Sequence, residues 1–152
     1  MTRANLLRAG LATFVLASPP LAAQHHAAGT IAVGRAVAGT LGPHDVLLSQ
    51  DSTYAQDWEI EGVAGQVVTI DLESESFDAY LMVYGPGLEH DLQDDDSGGN
   101  CNARLTMRFP QSGAYHIAVT TNEKRQSGDF TLSVTRGTKP TALSRCRRPA
   151  SR

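Results

Sequence analysis

The sequence predicts an all-β chain: a single antiparallel β-sandwich, jelly-roll-like, behind an N-terminal signal peptide. Apolar side chains recur at every second position in five separate runs. Turn-forming residues separate the runs about every ten positions. After the signal, no stretch carries the 3.6-residue period of an amphipathic helix. Of 152 residues, 41% are hydrophobic and 19% charged, which suits one globular core and not a disordered chain.

Residues 1–23 read as a secretory signal. Arg3 and Arg8 form its positive region, Leu11 to Ala17 its short apolar run, and Pro19-Pro20-Leu21-Ala22-Ala23 a small-residue cleavage region, with the cut placed after Ala23. The run is too short to span a bilayer, and no later segment is apolar enough, so no membrane span is expected once the signal is removed. Export points to the periplasm or the medium. Residues 24–35, rich in Ala, Gly and His, read as a flexible lead-in.

The sandwich is expected over 36–135. Trp58 and Ile60 alternate with Asp57, Glu59 and Glu61; Val68, Ile70 and Leu72 with Thr69, Asp71 and Glu73; Leu105, Met107 and Phe109 with Arg104, Thr106 and Arg108. Tyr115, Ile117 and Val119 alternate with His116, Ala118 and Thr120, and Phe130, Leu132 and Val134 with Asp129, Thr131 and Ser133. Each run predicts a strand with one buried and one wet face. Ala79 to Tyr84 is nearly continuous apolar and aromatic, predicting a central strand covered on both sides. Trp58, Tyr80, Tyr115 and Phe130 are expected in the core. Gly62–Gly65, Gly85-Pro86-Gly87, Ser97-Gly98-Gly99-Asn100, Pro110–Gly113 and Gln126–Gly128 supply the turns.

Charge is unevenly spread. With Arg3 and Arg8 lost with the signal, 11 basic residues face 16 acidic ones, a mature charge of −5. All the acids lie between Asp45 and Asp129, whereas residues 136–152 form a basic, solvated C-terminal tail. An acidic body repels phosphate, so nucleic acid is not an expected partner. The two cysteines, Cys101 and Cys146, would meet an oxidising compartment, so a disulfide joining the tail to the loop after the acidic run is expected. Two free thiols remain the alternative, because nothing in the sequence sets their distance.

An ordered series of short motifs resembles the bacterial pre-peptidase C-terminal domain family. It runs through Gly39-Thr40-Leu41, Asp45, Leu48, Tyr54, Asp57-Trp58, Ala64-Gly65-Gln66, Val67-Val68-Thr69-Ile70 and Phe77-Asp78-Ala79-Tyr80-Leu81. It continues through Pro86-Gly87, Asp94-Asp95, Asn102-Ala103-Arg104-Leu105, Pro110, Ser112-Gly113-Ala114-Tyr115 and Gly128-Asp129-Phe130-Thr131-Leu132. The resemblance covers about Ala36 to Val134. It implies a β-sandwich module of the kind appended to secreted peptidases, and it does not supply a peptidase.

The expected function is therefore non-catalytic: a binding module for protein or polysaccharide, or an accessory protein, folding helper or inhibitor, of a secreted peptidase. Asp94, Asp95, Asp96, Asn100 and Asn102 are the candidate metal ligands. Clustered carboxylates, amides and a Gly-Gly step suit calcium, which takes six to eight oxygens, and some relatives in the resembled family are calcium-responsive. The loop lacks EF-hand spacing, and the other reading is a solvated turn with one aspartate capping the next strand. No cofactor is required.

Asp96-Ser97-Gly98-Gly99 is similar to the nucleophile loop of chymotrypsin-like proteases. A triad also needs an oriented histidine, and His44, His90 and His116 lack that family's flanking pattern, so a hydrolase using Ser97 is the disfavoured reading. His116 is expected to face solvent. Cleavage after Ala23 would place His26 third, and cleavage after Ala22 would place His25 third; with the free amine and two amides that imidazole forms a donor set suited to Cu(II) or Ni(II), and the other reading is an ordinary His-bearing flexible start. Tyr54 and Tyr84 are candidate ligand-binding aromatics, though both are expected in the core.

Overall fold

The structure, a computed structural model, describes residues 27–142 together with Ser144 and Cys146. The signal, its cleavage site and Gln24-His25-His26 lie outside the described residues, as do Arg145, Arg147, Arg148 and Arg152. The described residues hold ten strands and no helix: β1 (Gly29–Thr30), β2 (Arg35–Leu41), β3 (Val46–Leu48), β4 (Thr53–Gly62), β5 (Val67–Glu73), β6 (Ala79–Tyr84), β7 (Leu92–Asp94), β8 (Ala103–Arg108), β9 (Gly113–Thr121) and β10 (Gly128–Arg136).

Two sheets form. One has six strands in the order β1-β4-β9-β6-β7, with β3 also on β4, and the other four in the order β2-β10-β5-β8. The pairs β2–β10, β4–β9, β5–β8 and β6–β7 are all antiparallel and nest one inside the next along the chain. That nesting is the jelly roll. The predicted antiparallel sandwich is the observed one.

Period two decides what meets between the sheets. One rung of the four-stranded sheet reads Val134, Ile70, Leu105, and facing rungs of the other read Trp58, Ile117, Val83 and Ile60, Tyr115. All but Trp58 are buried in one continuous core. Turn chemistry sets the register: Gly65 adopts φ +81°, which side chains disfavour, and its N–H donates to Phe109 O at 2.8 Å. Phe130 lies over Gly39, its register partner on β2, where a Cβ would sit 2.4 Å from the ring.

Four expectations need correction. The lead-in expected to be flexible carries β1, which runs parallel to β4 against Trp58 and Glu59, and Ile31 is buried in the core. An apolar side chain and the open edge of β4 together order this segment. The outer face of β5 is not wet: Thr69 and Asp71 are as buried as Ile70 and Leu72. Conversely, β6 is not covered on both sides. Ala79, Leu81 and Val83 point inward, while Tyr80, Met82 and Tyr84 are half-buried on the outer face. Of the four expected core aromatics, Tyr115 and Phe130 are buried, Trp58 is half-buried beside Gly29, and Tyr80 lies outside the core.

The cover on β5 comes from the chain just after β10. Gly137 N–H donates to Val67 O, Thr69 Oγ1 donates to Gly137 O at 2.9 Å, and Lys139 N–H donates to Thr69 Oγ1. Asp71, 2% exposed, receives Arg104 Nε at 2.5 Å on one oxygen and Lys139 Nζ at 2.6 Å on the other. Arg104 also donates to Pro140 O. Ala142 N–H then reaches Ser97 O, Ser144 Oγ accepts from Asn100 N–H, and the Cys101–Cys146 disulfide closes the path. Residues 137–142 are thus a strap across the outer face of the four-stranded sheet, and Lys139 is not a solvated tail residue. A buried carboxylate is tolerated only when paired, and here both of its oxygens are.

Candidate functional site

The strap does not reach the outer face of the six-stranded sheet, where Tyr80, Met82 and Tyr84 are half-buried and Ala118 and Thr120 are buried. Alternation sends Asp57 and Glu59 of β4, His116 of β9, and Tyr80, Met82 and Tyr84 of β6 onto it. Register sets their neighbours: His116 lies between Glu59 and Tyr84, and Ala118 between Asp57 and Met82.

Three of these side chains lock together. The Tyr84 and His116 rings stack with centroids 5.0 Å apart and planes 7° from parallel. Tyr84 Oη donates to Asp57 Oδ1 at 3.0 Å, and His116 Nδ1 lies 2.8 Å from Asp57 Oδ2. The carboxylate therefore holds the proton on Nδ1, and Nε2 makes no hydrogen bond to a described residue. Partial burial, the hydrogen bond to Asp57 and the charges of Asp57 and Asp91 push the Tyr84 phenol up to about 12. Burial, then the charges of Asp95 and Asp51, also raise the Tyr80 phenol, whose hydroxyl donates to Gln93 Oε1 at 2.5 Å. A groove of about 440 Å³ continues the face past Tyr80 and Met82 toward Leu48, Asp51 and Lys124.

Sequence reasoning missed this constellation. It sent His116 outward, as found, but assigned Tyr84 to the core and did not join either to Asp57. The available signal was the shared phase of the three positions; what was missing was that β4, β9 and β6 are neighbours. Tyr54 is half-buried and packs against the core, as expected.

The predicted metal loop is organised by its own backbone. Asp94 Oδ1 accepts the N–H groups of Ser97 and Arg104, at 3.0 and 2.8 Å, so it ties the turn and caps the start of β8. Asn102 Oδ1 accepts from Ser74 N–H, and Gly98 N–H donates to Asn102 O. Asn100 and Cys101 both have positive φ. The carboxylates of Asp94, Asp95 and Asp96 do not gather within 4.8 Å of one another. Among the described residues, the group that does so is Asp78 with Cys101 and Cys146, whose sulfurs are consumed by the disulfide. Ser97 offers its N–H to Asp94 and its carbonyl to Ala142, and its hydroxyl makes no hydrogen bond to a described histidine. His44 and His90 are exposed.

Comparison with known proteins follows the geometry. Residues 54–121 match the family model described as the bacterial pre-peptidase C-terminal domain. No curated protein matches the chain. Among solved structures, the pre-peptidase C-terminal domain of a collagenase from Bacillus anthracis superposes with a TM-score of 0.52 at 13% identity, covering 70% of this chain and 92% of that one. The Salmonella Typhimurium periplasmic inhibitor of g-type lysozyme gives 0.48 at 16% identity, covering 72% and 98%. The collagenase domain is a likeness of fold. No helix among the described residues is long and apolar enough to cross a membrane.

Proposed function

We propose that this chain, which carries a bacterial pre-peptidase C-terminal domain, is an exported, non-catalytic accessory module that holds a protein or polysaccharide ligand on the outer face of its six-stranded sheet. One observation carries the reading: the Tyr84–His116 stack, fixed by Asp57, stands half-buried on the outer face of the six-stranded sheet, which the strap does not cover. A pre-oriented aromatic pair loses little side-chain freedom on binding, and Nε2 adds one directed polar contact. The third member of the group is a tyrosine whose proton is held to about pH 12, not a nucleophile, which suits recognition better than hydrolysis.

The test is binding of the purified chain to immobilised collagen and to peptidoglycan, repeated with Tyr84→Ala and His116→Ala. The proposal expects each substitution to weaken binding at least tenfold while the chain stays folded, with circular dichroism still all-β. Equal binding by all three chains, or no binding to either polymer, removes it. The same proposal includes calcium as a stabiliser of the 94–102 loop, recruited by regrouping Asp95, Asp96 and Asn100, whose side chains make no hydrogen bond to described residues. At a hundred times its dissociation constant, calcium would add about 2.7 kcal/mol, seen as a raised Tm against chelator. A melt unmoved by millimolar calcium deletes that part alone.

A further inference from the structure

The free side of β2 is a second open feature of the fold, separate from the Tyr84 face. β2 ends the four-stranded sheet and pairs with β10 alone. Between Ala36 and Gly39, no described residue outside β10 hydrogen-bonds its backbone; one side chain, Gln56, donates to Thr40 O at 2.8 Å near the strand's end. Natural edge strands are guarded by lysine, proline or an inward charge. β2 opens on the exposed Arg35, and the six residues after it, Ala36-Val37-Ala38-Gly39-Thr40-Leu41, carry none of these. Its outward side chains, Ala36, Ala38 and Thr40, are small and exposed.

That strand borders a cleft of about 700 Å³ whose walls include Ala38, Thr40, Glu73, Glu75 and Asp129, and no basic residue lines it. Asp129, directly opposite Thr40, accepts its hydroxyl at 2.6 Å. A strand added to β2 would lie about 4.8 Å away, with every second side chain over Ala38 and Thr40. Lysine or arginine there reaches across Thr40 toward Asp129 on β10, while Glu73, one strand further in on β5, adds its charge at longer range. A second copy of this chain paired through β2 would bring two acidic clefts to one seam, which charge disfavours. We infer that the open edge of β2 takes an extended, basic segment of a protein partner as an added strand, read by main-chain hydrogen bonds and by the Glu73–Glu75–Asp129 cleft.

The experiment follows amide hydrogen exchange by NMR in the full oxidised chain. The probes are an end-blocked eight-residue peptide alternating lysine with threonine and its glutamate counterpart. The lysine peptide is expected to slow exchange at residues 36–39 and to bind at least tenfold more tightly than the glutamate peptide. Ala38→Lys, on an exposed position, should weaken it about tenfold with Tm little changed, and the Glu73→Gln/Glu75→Gln pair, set further in, should weaken it by less than that. Tyr84→Ala should leave it intact, which separates this inference from the proposed function. Unchanged exchange at 36–39, or equal binding of both peptides, overturns it. So does slow exchange in the free protein that grows with protein concentration, which assigns the edge to a second copy. So does slow exchange that is lost in a chain ending at Cys146, which assigns it to the chain's own basic tail.

Discussion

Tyr84 is a side chain whose acid–base chemistry the fold changes clearly. In the unfolded chain its phenol ionises near 10; in the fold, partial burial and the Asp57 carboxylate raise this to about 12. The folded state thus favours the neutral phenol. The associated stabilisation is complete below pH 10 and is lost as pH climbs through about 12. An ultraviolet titration should show a phenolate step near pH 12 that Tyr84→Phe removes; an unaltered titration curve would contradict the assignment. Asp71 illustrates the same limit on reading single residues. Its place in the alternation marks it as outward-facing, and it is, but outward from β5 means under the strap. No local pattern says that Lys139, 68 residues later, returns to meet it.

The strap is the element the sequence hid. Its residues are polar, basic and without period, so they resemble a solvated terminus. Their order comes from backbone hydrogen bonds to β5, from the Asp71 ion pairs and from the disulfide. The disulfide spans 45 residues, and a loop of that size is worth roughly 4 kcal/mol through the entropy it removes from the unfolded chain. Replacing both Cys101 and Cys146 with alanine should lower the urea-unfolding free energy by about that amount, with circular dichroism still all-β. A loss below about 1 kcal/mol would mean that the hydrogen bonds hold the strap unaided. The acidic loop beside it was legible as a turn rich in carboxylates. That one aspartate caps the next strand was among its readings; that this is Asp94, holding Ser97 and Arg104, was not, because the choice depends on where β8 begins in space.

At the scale of the molecule, nested pairing joins the two ends of the sandwich: Arg35 sits opposite Val134 and Leu41 opposite Gly128. Such distant contacts must overcome loop-closure entropy before they contribute, so all-β folds of this kind form slowly. Refolding of the oxidised chain from urea should take milliseconds to seconds, followed by stopped-flow fluorescence of the single Trp58; completion within microseconds would be inconsistent with this topology. The same nesting leaves the edge of β2 and the outer face of the six-stranded sheet as the two surfaces on which recognition is proposed.

By itself the sequence determined the period-two runs, and with them the strand class, most strand positions and the inward set from Ile60 to Val134. Alternation is local, and burying one face of a strand requires it wherever the strand goes. Tertiary structure alone decided which strands are neighbours, and so that Asp57, Tyr84 and His116 form one group while Asp94, Asp95 and Asp96 do not. It also decided that the outer face of β5 is covered and that of β6 half-buried. Those outcomes depend on pairing between segments tens of residues apart, and a residue's phase along its own strand carries no information about the strand beside it.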